Sequence, residues 1–300
     1  MFFKKSLQAA VALFLPFLCV INANAQQTKK VFLSGSDFEH PVKWDFMCTA
    51  GNNSKQWSKI NVPSNWELEG FGEYTYGRWY KELNQKEPSK EEGFYKHEFQ
   101  ISASDKGKTI YIVFGAAMTD TEVKINGKSA GPIHQGGFYE FKYDISSLLN
   151  YGGNNVLEAH VSKHSANKSV NAAERKADWW LFGGIYRPVW LEIMAAENIA
   201  HVAVDAKMDG TLNAHLDLQN ISKKSTVVAS ITADGNDKVI GTHSFDINAK
   251  EAKKVISMQF PNIKPWSPET PNLYNLKLEL KQNGKTIHEI TERIGFRTLE

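Results

Sequence analysis

Polar and apolar residues alternate with a period of two through much of the chain after Gln26. In "TLNAHLDLQN" the apolar set is Leu212, Ala214, Leu216 and Leu218, with Asn213, His215 and Asp217 between them. "YNLKLELKQNGKT" repeats the pattern with Leu276, Leu278 and Leu280 before a turn at Asn283-Gly284. Val227, Ala229 and Ile231 alternate ahead of Asp234-Gly235. Successive side chains of a strand point to opposite faces, so these runs predict half-buried antiparallel strands joined by hairpins. "KTIYIVFGA" is apolar on both faces and is predicted as a central strand. No long stretch carries a helical period, and the predicted fold class is all-β.

The pattern changes character along the chain. From about Phe38 to Ile193 the segments are aromatic-rich and separated by long loops, including the polar stretch "KELNQKEPSKEEG" from Lys81 to Gly93. After "EIMAAENIA" the strands become short and regular. From His201 to about Arg293 there are roughly seven, the immunoglobulin-like count without its cysteine pair. Two sandwiches are predicted, over residues 26–195 and 196–294, with residues 295–300 as a stub that should pack poorly.

The amino terminus departs from this pattern. Lys4 and Lys5 precede an apolar run from Leu7 to Ile21, and Ala23-Asn24-Ala25 supplies small residues at a cleavage site. Residues 1–25 therefore read as a signal peptide, and the protein as exported to a bacterial periplasm or exterior. The run is short and holds Pro16, which argues against a membrane-spanning helix. Removing Lys4 and Lys5 takes the formal charge from +2 to zero, so no nucleic-acid or membrane partner is expected. Cys48 would be the one remaining cysteine, which leaves no internal disulfide.

Candidate chemistry is sparse. "GKSAG" (Gly127 to Gly131) matches the G-x-S-x-G nucleophile elbow, but Asn126-Gly127 reads as a hairpin and no helix follows the serine. His160 and His164 have a zinc-like spacing, yet Leu157, Ala159 and Val161 put them on a strand rather than a helix. Glu67, Glu69, Glu91, Glu92, Glu174 and Asp178 are the carboxylates available for glycoside chemistry. No spacing pairs two of them across a cleft, and solvated loop positions account for most. Asp178 adjoins the apolar "WWLFGGIYRPVW", where it is either tied into a local hydrogen-bond network or aimed at a ligand. The loop aromatics Trp66, Tyr74, Tyr76, Trp79, Tyr80, Trp179 and Trp180 suit either core packing or stacking on sugar rings. Adjacent Trp179 and Trp180 cannot both point inward from a strand.

"VPSNWELEGFGEYTYG", "INGKSAG", "DWWLFGGIYRPVWLEI", "WSPETPNLYNLKLEL" and "IGFRTLE" occur in this order. Together they resemble the front of glycoside hydrolase family 2, the β-galactosidase and β-glucuronidase family. The resemblance implies a jelly-roll (galactose-binding-like) sandwich followed by an immunoglobulin-like β-sandwich. It also implies a (β/α)₈ barrel after Glu300 that carries both catalytic carboxylates, so no catalytic residue is expected in this chain. In β-galactosidases of the family an Asp before the "W…GI(F/Y)R" stretch helps hold the terminal sugar, partly through a monovalent cation, and Asp178 matches it. A family Asn after an "IYTN"-like segment is absent from "EYTYGRWY", so that contact is either missing or replaced by Tyr76 or Arg78, and the resemblance does not extend to galactose specificity. Trp179 completes the candidate sugar contacts. The implied partner is a carbohydrate with a terminal β-linked sugar. No cofactor is expected here, a monovalent or divalent cation belonging to the complete enzyme. The alternatives are a free-standing carbohydrate-binding protein and a purely structural pair of sandwiches.

Overall fold

The computed structural model describes residues 26–76, 90–175 and 179–299. The expected signal peptide (1–25), Arg78 and Asp178 lie outside the described residues. In chain order the strands begin with β1 (Gln26–Gln27), β2 (Lys29–Phe32), β3 (Val42–Cys48), β4 (Ser58–Val62), β5 (Thr75–Tyr76) and β6 (Glu92–Gln100). There follow β7 (Thr109–Phe114), β8 (Asp120–Ile125), β9 (Lys128–Ser129), β10 (Phe141–Asp144), β11 (Asn154–Ser162), β12 (Trp180–Leu181) and β13 (Val189–Met194). The last group is β14 (Asn198–Ala206), β15 (Thr211–Gln219), β16 (Ser225–Ala233), β17 (Val239–Ile247), β18 (Lys253–Gln259), β19 (Tyr274–Gln282) and β20 (Lys285–Ile294).

The first sandwich packs a six-stranded sheet, β4-β3-β6-β11-β8-β9, against a four-stranded sheet, β10-β7-β13-β2. This is the jelly-roll architecture, with a small β12-β5 ladder added at one end. Trp44, Phe46, Trp66, Tyr95, Ile112, Phe114 and Leu157 fill the interior. Strand β7, the predicted central strand, is buried on both faces between β10 and β13. Asn126 and Gly127 adopt positive φ (53° and 77°) at the β8–β9 turn, the conformation that Asn-Gly hairpins require. The G-x-S-x-G match is therefore a hairpin, with Ser129 Oγ donating to Gly131 O at 2.9 Å.

The second sandwich pairs the sheet β1-β20-β19-β16-β17 with β14-β15-β18. Its core takes the predicted alternating sets: Leu212, Ala214, Leu216 and Leu218, then Val227, Ala229 and Ile231, then Leu276, Leu278 and Leu280. Each large aliphatic side chain removed from water contributes about 1.5–3 kcal/mol, so the alternation carries much of the stability as well as the topology.

Two expectations are corrected. Phe296 was expected in a poorly packed stub, yet it is fully buried with its ring 5.4 Å from Tyr274 and 6.5 Å from Phe260. The main chain continues past β20 beside the Trp266 segment, where Trp266 N donates to Phe296 O at 2.8 Å, and closes one end of the sandwich core. The polar stretch expected to be a loop as far as Gly93 instead enters β6 at Glu92. Gly93 explains the entry: a Cβ there would lie 2.7 Å from Trp66 and 2.8 Å from Phe46, so only glycine lets the strand cross these rings.

Candidate functional site

One end of the first sandwich gathers loop segments 64–76, 163–175 and 179–187. They are joined by a buried charge network. Lys163 continues the inward register of Leu157, Ala159 and Val161 and is fully buried. Its Nζ lies 2.9 Å from Glu67 Oε1 and 2.8 Å from Glu91 Oε2, and donates to Glu73 O at 2.6 Å. Glu67 in turn accepts the Gly183 N–H at 3.0 and 3.1 Å. Arg175 donates through Nε to Lys163 O (2.9 Å) and through Nη2 to Phe182 O (2.6 Å). Next to it, Glu174 accepts the Gly137 N–H at 2.7 Å. Three loops are thereby tied to one ammonium and one guanidinium.

The local sequence explains this convergence. Gly183 sits flat on Trp66, where a Cβ would lie 2.1 Å from Cζ2, and Gly184 takes φ 116°. The double glycine lets the 179–187 segment cross the indole and present its amide to Glu67. Burial pushes the Glu67 carboxyl up, against the opposing pull of Lys163. Burial also lowers Arg175 to about 10, with Glu67 and Glu174 opposing. Two cations and three carboxylates are held where unpaired charge would be costly, so the network is a scaffold rather than an acid–base pair.

Solvated loop positions are expected for most of these carboxylates from the sequence, but Glu67, Glu91 and Glu174 are all buried. The missed signal was Lys163 itself, a lysine on the inward side of an alternating strand, which obliges buried counter-charges. Glu69 and Glu92 do sit at the surface side: Glu69 accepts from Asn61, and Glu92 lies 3.2 Å from His160. His160 faces outward and stacks on Phe94 at 4.4 Å, as its strand position predicts.

Around this scaffold stands an aromatic rim. Tyr74, Trp179 and Trp180 are exposed, Trp179 by 50% and Trp180 by 42%, so neither tryptophan points inward. The Tyr74 ring lies 4.4 Å from Trp180 and 5.5 Å from Phe182. Tyr76 is placed by its backbone opposite Trp180 in the β5–β12 ladder. Trp66, by contrast, is core. Of the candidate sugar contacts, Trp179 is exposed next to this ladder and Tyr76 lies in its backbone, while Asp178 and Arg78 fall outside the described residues, as do Trp79 and Tyr80. Among the described residues no group of three or more His, Cys, Asp or Glu could hold a metal.

The chain is thus a jelly roll with an aromatic loop rim, followed directly by an immunoglobulin-like sandwich. Residues 40–194 match the family model described as glycosyl hydrolases family 2, sugar binding domain, and residues 197–297 match glycosyl hydrolases family 2. The chain belongs to glycosyl hydrolases family 2. It is 30% identical over 212 residues to a β-galactosidase of Thermoanaerobacter pseudethanolicus, covering 69% of this chain and 28% of that protein. A β-galactosidase of Bacteroides ovatus is 26% identical over 88% of this chain and 31% of its own length. The fold matches a Bacteroides uniformis β-glucuronidase structure with a TM-score of 0.68 at 19% identity, covering 90% of this chain and 32% of that one. The chain thus spans about 30% of the length of the relatives it matches.

Proposed function

We propose that this chain is the non-catalytic front of an exported retaining β-glycosidase, β-galactosidase-like in substrate class, and that its rim contributes sugar contacts to a site completed outside the chain. The observation that carries this reading is the match of both sandwiches to consecutive family 2 domains within proteins some three times as long. Retaining hydrolysis needs two carboxylates about 5–5.5 Å apart, one protonating the leaving group and one attacking the anomeric carbon. The buried carboxylates Glu67 and Glu91 instead share the Lys163 ammonium, which suits scaffolding and not proton transfer.

In this reading Asp178, Tyr76, Arg78 and Trp179 touch the terminal sugar, and Trp179 offers an aromatic face to its apolar C–H surface. A cation at Asp178 would orient sugar hydroxyls in the complete enzyme. The leader over residues 1–25 would direct export. Both the β-galactosidase and the β-glucuronidase relatives act on β-linked sugars by name, which supports a carbohydrate partner. The free-standing binding-protein reading has no comparable support.

The test is incubation of the purified 300-residue chain with 4-nitrophenyl β-galactoside and β-glucuronide. No nitrophenol release is expected from the chain alone, and turnover is expected once a family 2 barrel is joined to its carboxyl end. Hydrolysis by the chain alone overturns the proposal. Within the joined protein, Trp179→Ala should raise KM with little change in folding stability.

A further inference from the structure

The two sandwiches have separate cores that share no buried residue among those described. Domains joined this way move relative to one another unless polar contacts or extra chain crossings prevent it. The direct connection is short: β13 ends at Met194 and β14 begins at Asn198. A second crossing comes from the other end of the chain. Gln26 and Gln27 pair in parallel with His288 and Glu289 at the edge of the second sandwich. Two residues later, Lys29 to Phe32 pair antiparallel with Ile193 to Trp190 in the first sandwich. A seven-residue stretch thus belongs to both sheets systems, one strand to each.

We propose that residues 26–29 are a clasp that sets the angle between the two sandwiches, and that His288 is its pin.

His288 is fully buried where the two crossings meet. The Ile199 backbone N–H, on the first strand after the linker, donates to Nδ1 at 3.2 Å. That bond leaves the ring proton on Nε2, which lies 3.2 Å from Thr28 Oγ1 and donates to it. One imidazole therefore bridges the incoming strap and the outgoing linker, and each of its nitrogens is used. Gln27 Nε2 reinforces the strap by donating to Glu289 Oε1 at 2.6 Å, and Glu289 is held by Lys277 Nζ at 2.9 Å. On the first sandwich, Lys30 Nζ lies 3.6 Å above the Trp190 ring and anchors the strap beyond the crossing. Among the described residues Gln219 Nε2 also reaches across the sandwiches, to Tyr111 OH at 2.7 Å, through a single hydrogen bond.

The angle matters to the proposed function because it sets where the aromatic rim stands relative to residues 294–299 of the second sandwich. The clasp itself does not depend on that function.

The experiment is a spin-label distance measurement across the two sandwiches in the full chain. Labels are placed by Lys128→Cys and Lys285→Cys, both exposed, with Cys19→Ser, and Cys48 remains buried. A single narrow distance is expected. Thr28→Val combined with Gln27→Ala should broaden the distribution roughly twofold or shift it, while near-ultraviolet circular dichroism stays unchanged. His288→Leu should do the same or more; if that variant does not fold, the strap variants decide the question alone. A distribution as narrow as the parent's in the folded strap variants overturns the proposal and assigns the angle to the linker and the Gln219–Tyr111 bond.

Discussion

Lys163 Nζ lies 2.9 Å from Glu67 Oε1, and neither side chain has any exposure to solvent. With Glu91 as second partner, this ammonium organises the loop end of the first sandwich. Replacing a buried ion by an apolar group leaves its former partners uncompensated. Lys163→Met should therefore destabilise the first sandwich by about 3–5 kcal/mol, read from urea unfolding. Adding Glu67→Gln to Lys163→Met should recover part of the loss, so the two changes will be non-additive.

Gly183→Ala tests the glycine crossing on Trp66. The added methyl would meet the indole at 2.1 Å, a contact neither rigid ring nor backbone can relieve by rotation. A loss of at least about 1–3 kcal/mol is expected, with a shift in tryptophan emission, because the segment must lift off the ring. An unchanged melting temperature would contradict the packing described.

Phe296 is a core residue of the second sandwich. Phe296→Ala should cost about 3–5 kcal/mol in that domain's unfolding. A loss of a few tenths would place the ring in solvent instead.

His288 makes stability depend on pH. Burial lowers it from 6.5 to about 4, with Glu289 opposing. In the interval between those values the unfolded chain binds the proton that the folded chain refuses. Stability from this group is therefore complete above about pH 6.5 and is lost as pH falls toward about 4. Glu289 beside it is held below the usual carboxylate range by Lys277, and Glu292 on the same strand is pushed up by burial, so both belong in the comparison. Denaturation of the parent and of His288→Gln at pH 7 and pH 5 should show a steeper acid loss for the parent.

The legible part of this molecule is the part governed by local pattern. Leu212 to Leu218 alternate because a half-buried strand must, and that alternation is visible in ten residues. The Asn126-Gly127 turn was readable for the same reason: its positive φ angles are a property of two residues. The charge network was not readable in full. Lys163 and Glu91 stand 72 positions apart, and nothing in either neighbourhood encodes the other. An inward lysine on β11 announces that partners exist, but only the register of β11 on β6 and the path of the loop from Asn65 say which carboxylates they are. The aromatic rim divides in the same way: that Trp179 and Trp180 cannot both point inward was readable, whereas the placing of Trp180 against Tyr74 and opposite Tyr76 depends on the β5–β12 ladder.

By itself the sequence determined an all-β chain of two sandwiches, because strand periodicity and hairpin turns are written within a few residues of one another. The ordered motifs from Val62 to Glu300 determined the family in the same linear way. Only the tertiary structure decided that Phe296 closes a core, that Glu67 and Glu91 share one lysine, and that Thr28 and Ile199 meet on His288. Those are choices of partner between distant segments, and partner choice is set by sheet register and the exclusion of water from the interior, which no local pattern specifies.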